Sequence, residues 1–89
     1  MAKVKVEVLG VQPPCVRCRI TEENARKAAL NLAEDGIEVE VVKLDISSRE
    51  TASRFGVLAS PAIAVNGVVR IMGKVPDPGV IERLIREAL

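Results

Sequence analysis

Residues 59–73 read ASPAIAVNGVVRIMG, and they limit the possible folds more than any other part of the chain. Two β-rich runs, residues 61–65 and 68–72, are separated by Asn66-Gly67. This dipeptide is the strongest short hairpin signal, because the favoured two-residue turn needs positive φ at both of its central positions. The sequence therefore predicts two successive antiparallel strands.

Helices are predicted on both sides of this hairpin. Upstream, Ser47 and Glu50 have the spacing of a capping box, and Phe55-Gly56 is expected to close a short helix with Phe55 as its core anchor. Downstream, Asp77-Pro78 places a cap before a first-turn proline. The last helix has an apolar face at helical spacing, formed by Ile81, Leu84, Ile85 and Ala88.

The N-terminal half predicts a strand, a helix and a second strand. Residues 3–9 alternate charged residues with valine, and residues 37–45 begin with a similar alternation. Between them, Gly36 ends a helix whose apolar face holds Ala25, Ala28, Ala29 and Leu32. Such a unit forms a right-handed parallel crossover. As neighbours, the two strands would share a partly covered face on which opposite charges help to set the register: Lys3, Lys5, Glu7, Glu38 and Glu40.

The two cysteines of the chain, Cys15 and Cys18, lie between the first strand and the first helix. On a first helical turn, this pair can close a small disulfide ring, and the helix N-terminus favours the thiolate. The same spacing occurs in half of a zinc site and in two-coordinate soft-metal sites. The position at which the first helix starts has an alternative. Thr21, followed by Glu22 and Glu23, is a second candidate N-cap, and a helix that began there would leave the cysteines in a loop.

Composition excludes several classes of function. The 89 residues indicate one domain, 1–89. Phe55 is the single aromatic residue, which removes base-stacking platforms, and 13 basic against 12 acidic residues provide no basic field for nucleic acid or membrane. No signal segment and no apolar run of about 18 residues is evident, so a cytoplasmic protein is expected. In the cytoplasm, a close cysteine pair is typical of catalytic, redox-sensing or metal-binding proteins.

The order βαβαββα, with Cys15-x-x-Cys18 after the first strand, resembles the thioredoxin fold in its smallest, glutaredoxin-sized form. It is similar to the compact prokaryotic redox-active disulfide proteins of that superfamily. The segment from Phe55 to Ala62 resembles the run into the superfamily's cis-proline, and the hairpin ending at Gly73 matches as well. The resemblance implies an α/β fold with a four-stranded mixed sheet and helices on both faces, and a thiol-disulfide oxidoreductase.

The resemblance also implies roles for individual residues. Cys15 matches the nucleophile that attacks a partner disulfide, and Cys18 matches the resolving thiol. Pro61 matches the cis-proline, with Ser60 presenting its backbone to an extended peptide substrate. Partners would be protein disulfides and a thioredoxin-reductase-like or small-thiol reductant, with no cofactor besides the Cys15–Cys18 disulfide. A monomer that binds neither nucleic acid nor membrane is expected.

The chain also differs at several positions from the proteins that it resembles. Thioredoxins proper have a Trp before the first cysteine, Gly-Pro between the cysteines and a buried acid six positions upstream, where this chain has Pro14, Val16-Arg17 and Leu9. Pro14 either stiffens the loop or tunes the cysteines. Arg17 either stabilises the Cys15 thiolate or is a solvated surface residue. The paired glycines of glutaredoxins are absent, so glutathione use is not indicated.

Two other hypotheses remain open. Small copper-binding ferredoxin-like domains also place Cys-x-x-Cys between a first strand and a first helix, so a copper- or zinc-binding module is one alternative. Those domains lack the Asn66-Gly67 hairpin followed by a terminal helix. The other alternative is a non-catalytic thioredoxin-fold interaction protein, in which Cys15 would be unreactive.

Overall fold

The computed structural model describes residues 2–11, 16–46, 48–56 and 59–89. Over these residues the chain forms four strands and three helices in the predicted order βαβαββα. They are β1 (Ala2–Gly10), α1 (Val16–Ala33), β2 (Ile37–Asp45), α2 (Arg49–Phe55), β3 (Ala62–Val65), β4 (Val68–Met72) and α3 (Pro78–Glu87).

The strands form one mixed sheet in the order β2-β1-β3-β4. β1 runs parallel to β2, while β3 is antiparallel to both β1 and β4. Lys3 lies opposite Glu38 and Lys5 opposite Glu40, so opposite charges do face each other across these two strands, as the sequence suggested. The mixed four-stranded sheet of the predicted fold class is therefore confirmed.

The hairpin turn forms as predicted and is also attached to β1. Asn66 and Gly67 both have positive φ, 51° and 85°, as a two-residue hairpin turn of this type requires. The Asn66 amide donates to the Lys5 carbonyl at 2.8 Å, and the Lys5 amide donates to Asn66 Oδ1 at 3.0 Å. The turn thus fixes where β3 and β4 lie along β1.

Helices cover both faces of the sheet. α1 and α3 pack on one face, whose core includes Val4, Val6, Val8, Ala25, Ala28, Leu32, Ile63, Val65, Ile81 and Ile85. α2 covers the other face, where Phe55 packs against Leu9, Ala62 and Ala64. Burial of each aliphatic side chain contributes about 1.5–3 kcal/mol. The C-terminal end of β1 is consequently fixed between two packed layers.

Glu7 is buried, although Lys3 and Lys5 on the same face of β1 are exposed. It is only 1% exposed, and both of its carboxylate oxygens accept hydrogen bonds from Arg54, at 2.8 and 3.0 Å. The hydrogen bond with Glu7 raises the pKa of Arg54, whose guanidinium also lies 4.6 Å from the centre of the Phe55 ring. This two-point ion pair fastens α2 to the sheet.

The start of α2 differs from the predicted capping box. The N-cap is Ser48, whose Oγ accepts from the Thr51 amide at 3.1 Å and donates to Thr51 Oγ1 at 2.8 Å. Ser47, the predicted cap, lies outside the described residues, and the cap is one position later. The reason is burial, because Thr51 is buried and Phe55 half-buried one helical turn apart, which leaves Glu50 in solvent.

The terminal helix agrees with its prediction. Asp77 is the N-cap of α3, Pro78 occupies the first helical position, and Ile81, Leu84 and Ile85 are buried. None of the helices in the described parts of the chain is long and apolar enough to cross a lipid bilayer.

Candidate active site

Cys18 lies in the first turn of α1, with its side chain only 5% exposed. Because α1 begins at Val16, the alternative start at Thr21 is wrong. Thr21 is buried within the helix, and its hydroxyl donates to the Arg17 carbonyl at 2.8 Å. The amide-rich end of the helix therefore lies at Cys18, where it favours a thiolate.

Cys15 and Pro14 lie outside the described residues. Their assignments as nucleophile and as loop stiffener or tuner therefore remain predictions. The structure does describe the other four predicted site residues, which are Arg17, Cys18, Ser60 and Pro61.

The structure brings Cys18 together with the segment predicted to bind substrate. Cys18 Sγ lies 3.2 Å from Ser60 Oγ, and the Ser60–Pro61 peptide bond is cis. Either atom of the pair can donate when the sulfur is a thiol, but only the Ser60 hydroxyl can donate to a thiolate. Ser60 thus offers a hydrogen bond to the charged form of the sulfur.

Gly10, the last residue of β1, forms the opposite side of the sulfur environment. A Cβ atom placed on Gly10 would lie 2.9 Å from Cys18 Sγ and 3.2 Å from Cys18 Cβ, which is too close for a side chain. The Gly10 carbonyl accepts from the Ile46 amide at 2.8 Å, so the strand end is held in place. The predicted first strand stopped at residue 9, so sequence reasoning missed this close approach. A glycine at a strand end just before the cysteines was the available signal.

Arg17 contacts a different part of the site from the one that the sequence suggested. Its Nη2 atom donates to the Gly73 carbonyl at 2.9 Å. Gly73 directly follows β4 with φ of 76°, and its amide donates to the Pro61 carbonyl at 2.8 Å. The guanidinium thus joins the head of α1 to the turn beside the cis proline. Stabilisation of the Cys15 thiolate by Arg17 stays a prediction.

Comparison with known proteins assigns this arrangement to a family. The family model described as the thioredoxin domain matches residues 4–86. The chain belongs to the thioredoxin family. The thioredoxin resemblance inferred from the sequence is therefore confirmed.

Thioredoxin relatives from methane-forming archaea match most of the chain. A protein named probable thioredoxin from Methanothermobacter marburgensis is 42% identical over 71 residues, which cover 79% of both chains. A thioredoxin from Methanothermobacter thermautotrophicus is 32% identical over 82 residues, covering 92% of this chain and 97% of its own. The enzyme class of the protein is therefore thiol-disulfide oxidoreductase.

Solved thioredoxin structures share the fold. The thioredoxin of Fasciola hepatica superposes with a TM-score of 0.65 at 20% identity, covering 97% of this chain and 81% of its own. The oxidised thioredoxin of Plasmodium falciparum superposes with a TM-score of 0.66 at 12% identity, covering 98% and 82%. The predicted thioredoxin fold is thus confirmed by both the topology and these neighbours.

The described part of the chain was searched for groups of possible metal ligands. Over residues 2–11, 16–46, 48–56 and 59–89, no group of three or more His, Cys, Asp or Glu side chains is arranged to hold an ion. The whole sequence contains no histidine.

Proposed function

We propose that this protein exchanges electrons with protein disulfides through Cys15 and Cys18. The observation that carries the proposal is the contact between Cys18 and Ser60, because it places a buried sulfur at a helix N-terminus and beside a cis proline. Cys15, three positions earlier in the sequence, supplies the attacking sulfur in this proposal. The disulfide of the pair is the sole redox group that the reaction requires.

The reaction balances as two thiol-disulfide exchanges. The Cys15 thiolate attacks one sulfur of the partner disulfide, and the partner's other sulfur leaves as a thiolate. The Cys18 thiolate then attacks Cys15 Sγ in the mixed disulfide, and the second partner sulfur leaves. Two electrons pass to the partner, whose thiolates take protons from water, and the Cys15–Cys18 disulfide forms. A thioredoxin-reductase-like enzyme or a small thiol returns the pair to the dithiol.

Ser60 has a definite part in the second exchange. Its hydroxyl lies within hydrogen-bond distance of Cys18 Sγ, so it can donate to the thiolate that attacks the mixed disulfide. The backbone of Ser60 and Pro61 is proposed to receive the partner chain as an added strand.

A protein partner is favoured over a small disulfide by the apolar surface near Cys18. Val16 and Ile20 lie one turn apart at the head of α1 and are 72% and 41% exposed. Met72, just before the Gly73 carbonyl that Arg17 contacts, is 52% exposed. A macromolecule can cover such side chains, which indicates protein disulfides as substrates. We further propose a cytoplasmic monomer, as the sequence suggested.

The test uses Cys15→Ser and Cys18→Ser variants with insulin as a model disulfide and dithiothreitol as reductant. Cys15→Ser is expected to lose insulin reduction, because no sulfur attacks. The Cys18→Ser variant is reduced, freed of dithiothreitol and then mixed with insulin, where it is expected to stop at a mixed disulfide that a mass measurement after alkylation detects. Full activity in both variants, or no activity in the wild-type protein, would overturn the proposal.

A copper- or zinc-loading arm addresses the metal alternative. Wild-type protein that fails to reduce insulin but binds one of these ions stoichiometrically through its cysteines would replace the proposed function with metal binding. Wild-type protein that does neither would leave the non-catalytic interaction protein as the function.

A further inference from the structure

Two side chains of α1 hold the same short segment after β4. Arg17 Nη2 donates to the Gly73 carbonyl and Asn24 Nδ2 donates to the Pro76 carbonyl, each at 2.9 Å. Arg17 and Asn24 are seven positions, or two turns, apart and so lie on one face of the helix. Residues 73–76, which we call the clasped segment, are therefore bound to α1 at both ends.

The clasped segment is hydrogen-bonded to one neighbour of Ser60 and passes close to the other. The Gly73 amide donates to the Pro61 carbonyl at 2.8 Å. On the other side, a Cβ atom placed on Gly73 would lie 3.4 Å from Ala59 Cβ, which is ordinary van der Waals distance. The position of Ser60 thus depends on where the clasped segment lies.

These contacts close a ring around the site. It runs from Arg17 to Gly73, from Gly73 to Pro61, and from Ser60 to Cys18, which follows Arg17 in the chain. Because the ring is closed, the cis-proline segment is held beside Cys18 in two ways. One is the contact of Ser60 with the sulfur, and the other is the pair of hydrogen bonds through Gly73 to Arg17. Opening the ring at Arg17, or releasing the Pro76 end of the clasped segment by loss of the Asn24 hydrogen bond, frees the same backbone.

We propose that Arg17 and Asn24 are positioning residues that set how tightly a protein disulfide binds. The inference rests on the proposed function, in which the backbone of Ser60 and Pro61 receives the partner chain. A clasped segment that loses one of its two hydrogen bonds samples more positions, so fewer molecules present Pro61 in the receptive arrangement. One hydrogen bond of this kind shifts such an equilibrium roughly two- to tenfold.

A positioning role for Arg17 differs from a role of its charge. The guanidinium precedes Cys18 directly, so a charge effect on the thiols would change the reduction potential. Asn24 is uncharged and lies two turns into the helix. The clasp therefore predicts the same effect for both residues, while charge tuning predicts an effect of Arg17 alone.

The experiment compares Arg17→Gln and Asn24→Ala with two controls on the same helix. Arg19→Gln removes an exposed arginine, and Asn31→Ala removes an amide that donates to Glu82 in α3 instead. Steady-state reduction of insulin, reduction of the small disulfide 5,5′-dithiobis(2-nitrobenzoate) and the reduction potential are measured for each variant.

We expect KM for insulin to rise roughly two- to tenfold in both clasp variants. The kcat for insulin, the rate with the small disulfide and the reduction potential should stay at wild-type values, as should all four quantities in the controls. Equal KM values in clasp and control variants would overturn the inference. So would a changed potential in Arg17→Gln together with a wild-type KM in Asn24→Ala.

Hydrogen exchange at the Gly73 amide tests the clasp without reference to activity. We expect faster exchange in Arg17→Gln and Asn24→Ala than in the controls, because the amide bonds Pro61 only while the segment is held. Unchanged exchange in both overturns the clasp even if the enzyme is active. Failure of the proposed function would instead appear in the wild-type protein as absent insulin reduction.

Discussion

Cys18 Sγ and Ser60 Oγ lie 3.2 Å apart, although 42 positions separate the two residues in the chain. A hydroxyl at this distance can donate to the sulfur when the sulfur is ionised. Hydrogen bonds to ionised groups are stronger than those between neutral groups, so this contact favours the thiolate and thereby the reduced form of the pair.

Ser60→Ala is therefore expected to make the cysteine couple more reducing. Loss of a hydrogen bond worth about 1.4 kcal/mol to the reduced form lowers the reduction potential by about 30 mV. A redox titration against glutathione buffers, read by mass after alkylation, measures the change. Ser60→Thr should restore the wild-type potential, and Ser53→Ala, on the exposed side of α2, serves as the control. Equal potentials for Ser60→Ala and Ser53→Ala would contradict the prediction.

Gly10→Ala should lower the stability of the folded protein by about 1–3 kcal/mol, the usual cost of overpacking. The new methyl group would lie 2.9 Å from Cys18 Sγ, so the sulfur must move. The midpoint of urea denaturation measures the loss. Gly79→Ala in α3 is the matched control, because a Cβ there meets nothing within 4 Å and a helical alanine is favoured over glycine. A Gly10→Ala midpoint as high as that of Gly79→Ala would show that the strand end tolerates a side chain.

Arg54→Leu should destabilise the protein more than the double substitution Glu7→Leu/Arg54→Leu. The single change leaves the Glu7 carboxylate buried without its cation, whereas the double change replaces both charges with apolar groups. Urea denaturation of the two variants, with Arg49→Leu as an exposed control on α2, gives the comparison. If the single variant were as stable as the double, the ion pair would not be what holds α2.

The ion pairs of Glu22 are expected to stabilise the folded protein less in acid. Burial raises the pKa of Glu22, but the hydrogen bond from Arg26 and the charge of Lys43 outweigh it, so the pKa lies below its ordinary value of 4.5. Ion-pair distances are 2.9 Å to Arg26 and 3.5 Å to Lys43. Because the pKa of Glu22 is lower in the folded protein than in the unfolded chain, its carboxylate stabilises the fold fully above the unfolded value. This stabilisation is lost as the pH falls through the folded pKa.

The stability difference between the wild-type protein and Glu22→Gln should therefore shrink as the pH falls from about 5 to about 3. Denaturation midpoints across that range measure it. Glu23→Gln, exposed in the same turn, should show a smaller difference at every pH. A difference for Glu22→Gln that does not change with pH would indicate that its carboxylate charge contributes nothing.

Local patterns in the sequence were enough to predict the order of the strands and helices, and the family resemblance then implied the fold. Period-two alternation located β1 and β2, Asn66-Gly67 located the hairpin, and Asp77-Pro78 located the start of α3, because each signal depends on neighbouring residues alone. Alternation identifies the face of a strand but not what covers it. On one face of β1, Lys3 and Lys5 are exposed while Glu7 is buried, since α2 covers only the end of the strand where Glu7 lies.

The site was harder to predict because its contacts join distant parts of the chain. Cys18 was singled out by its spacing from Cys15, and Ser60 and Pro61 by the family resemblance. The close approach of Gly10 to the sulfur and the contact of Arg17 with Gly73 were not foreseen. Each depends on where the backbone passes in space, which one-dimensional spacing does not contain. The predicted N-cap of α2 was wrong for the same reason, because the burial of Thr51 in the folded protein determined where the helix begins.

The ring that runs from Arg17 through Gly73 and Pro61 back to Cys18 draws on residues up to 56 positions apart. A cut within the β2–α2 connection would leave Cys18 on one fragment and Ser60 on the other, so neither piece alone could assemble the surroundings of the sulfur. Mixing the two fragments should restore them only when the sheet recombines. Thiol reactivity in this protein is accordingly expected to report complete assembly of the chain, which makes it a candidate for split-protein complementation.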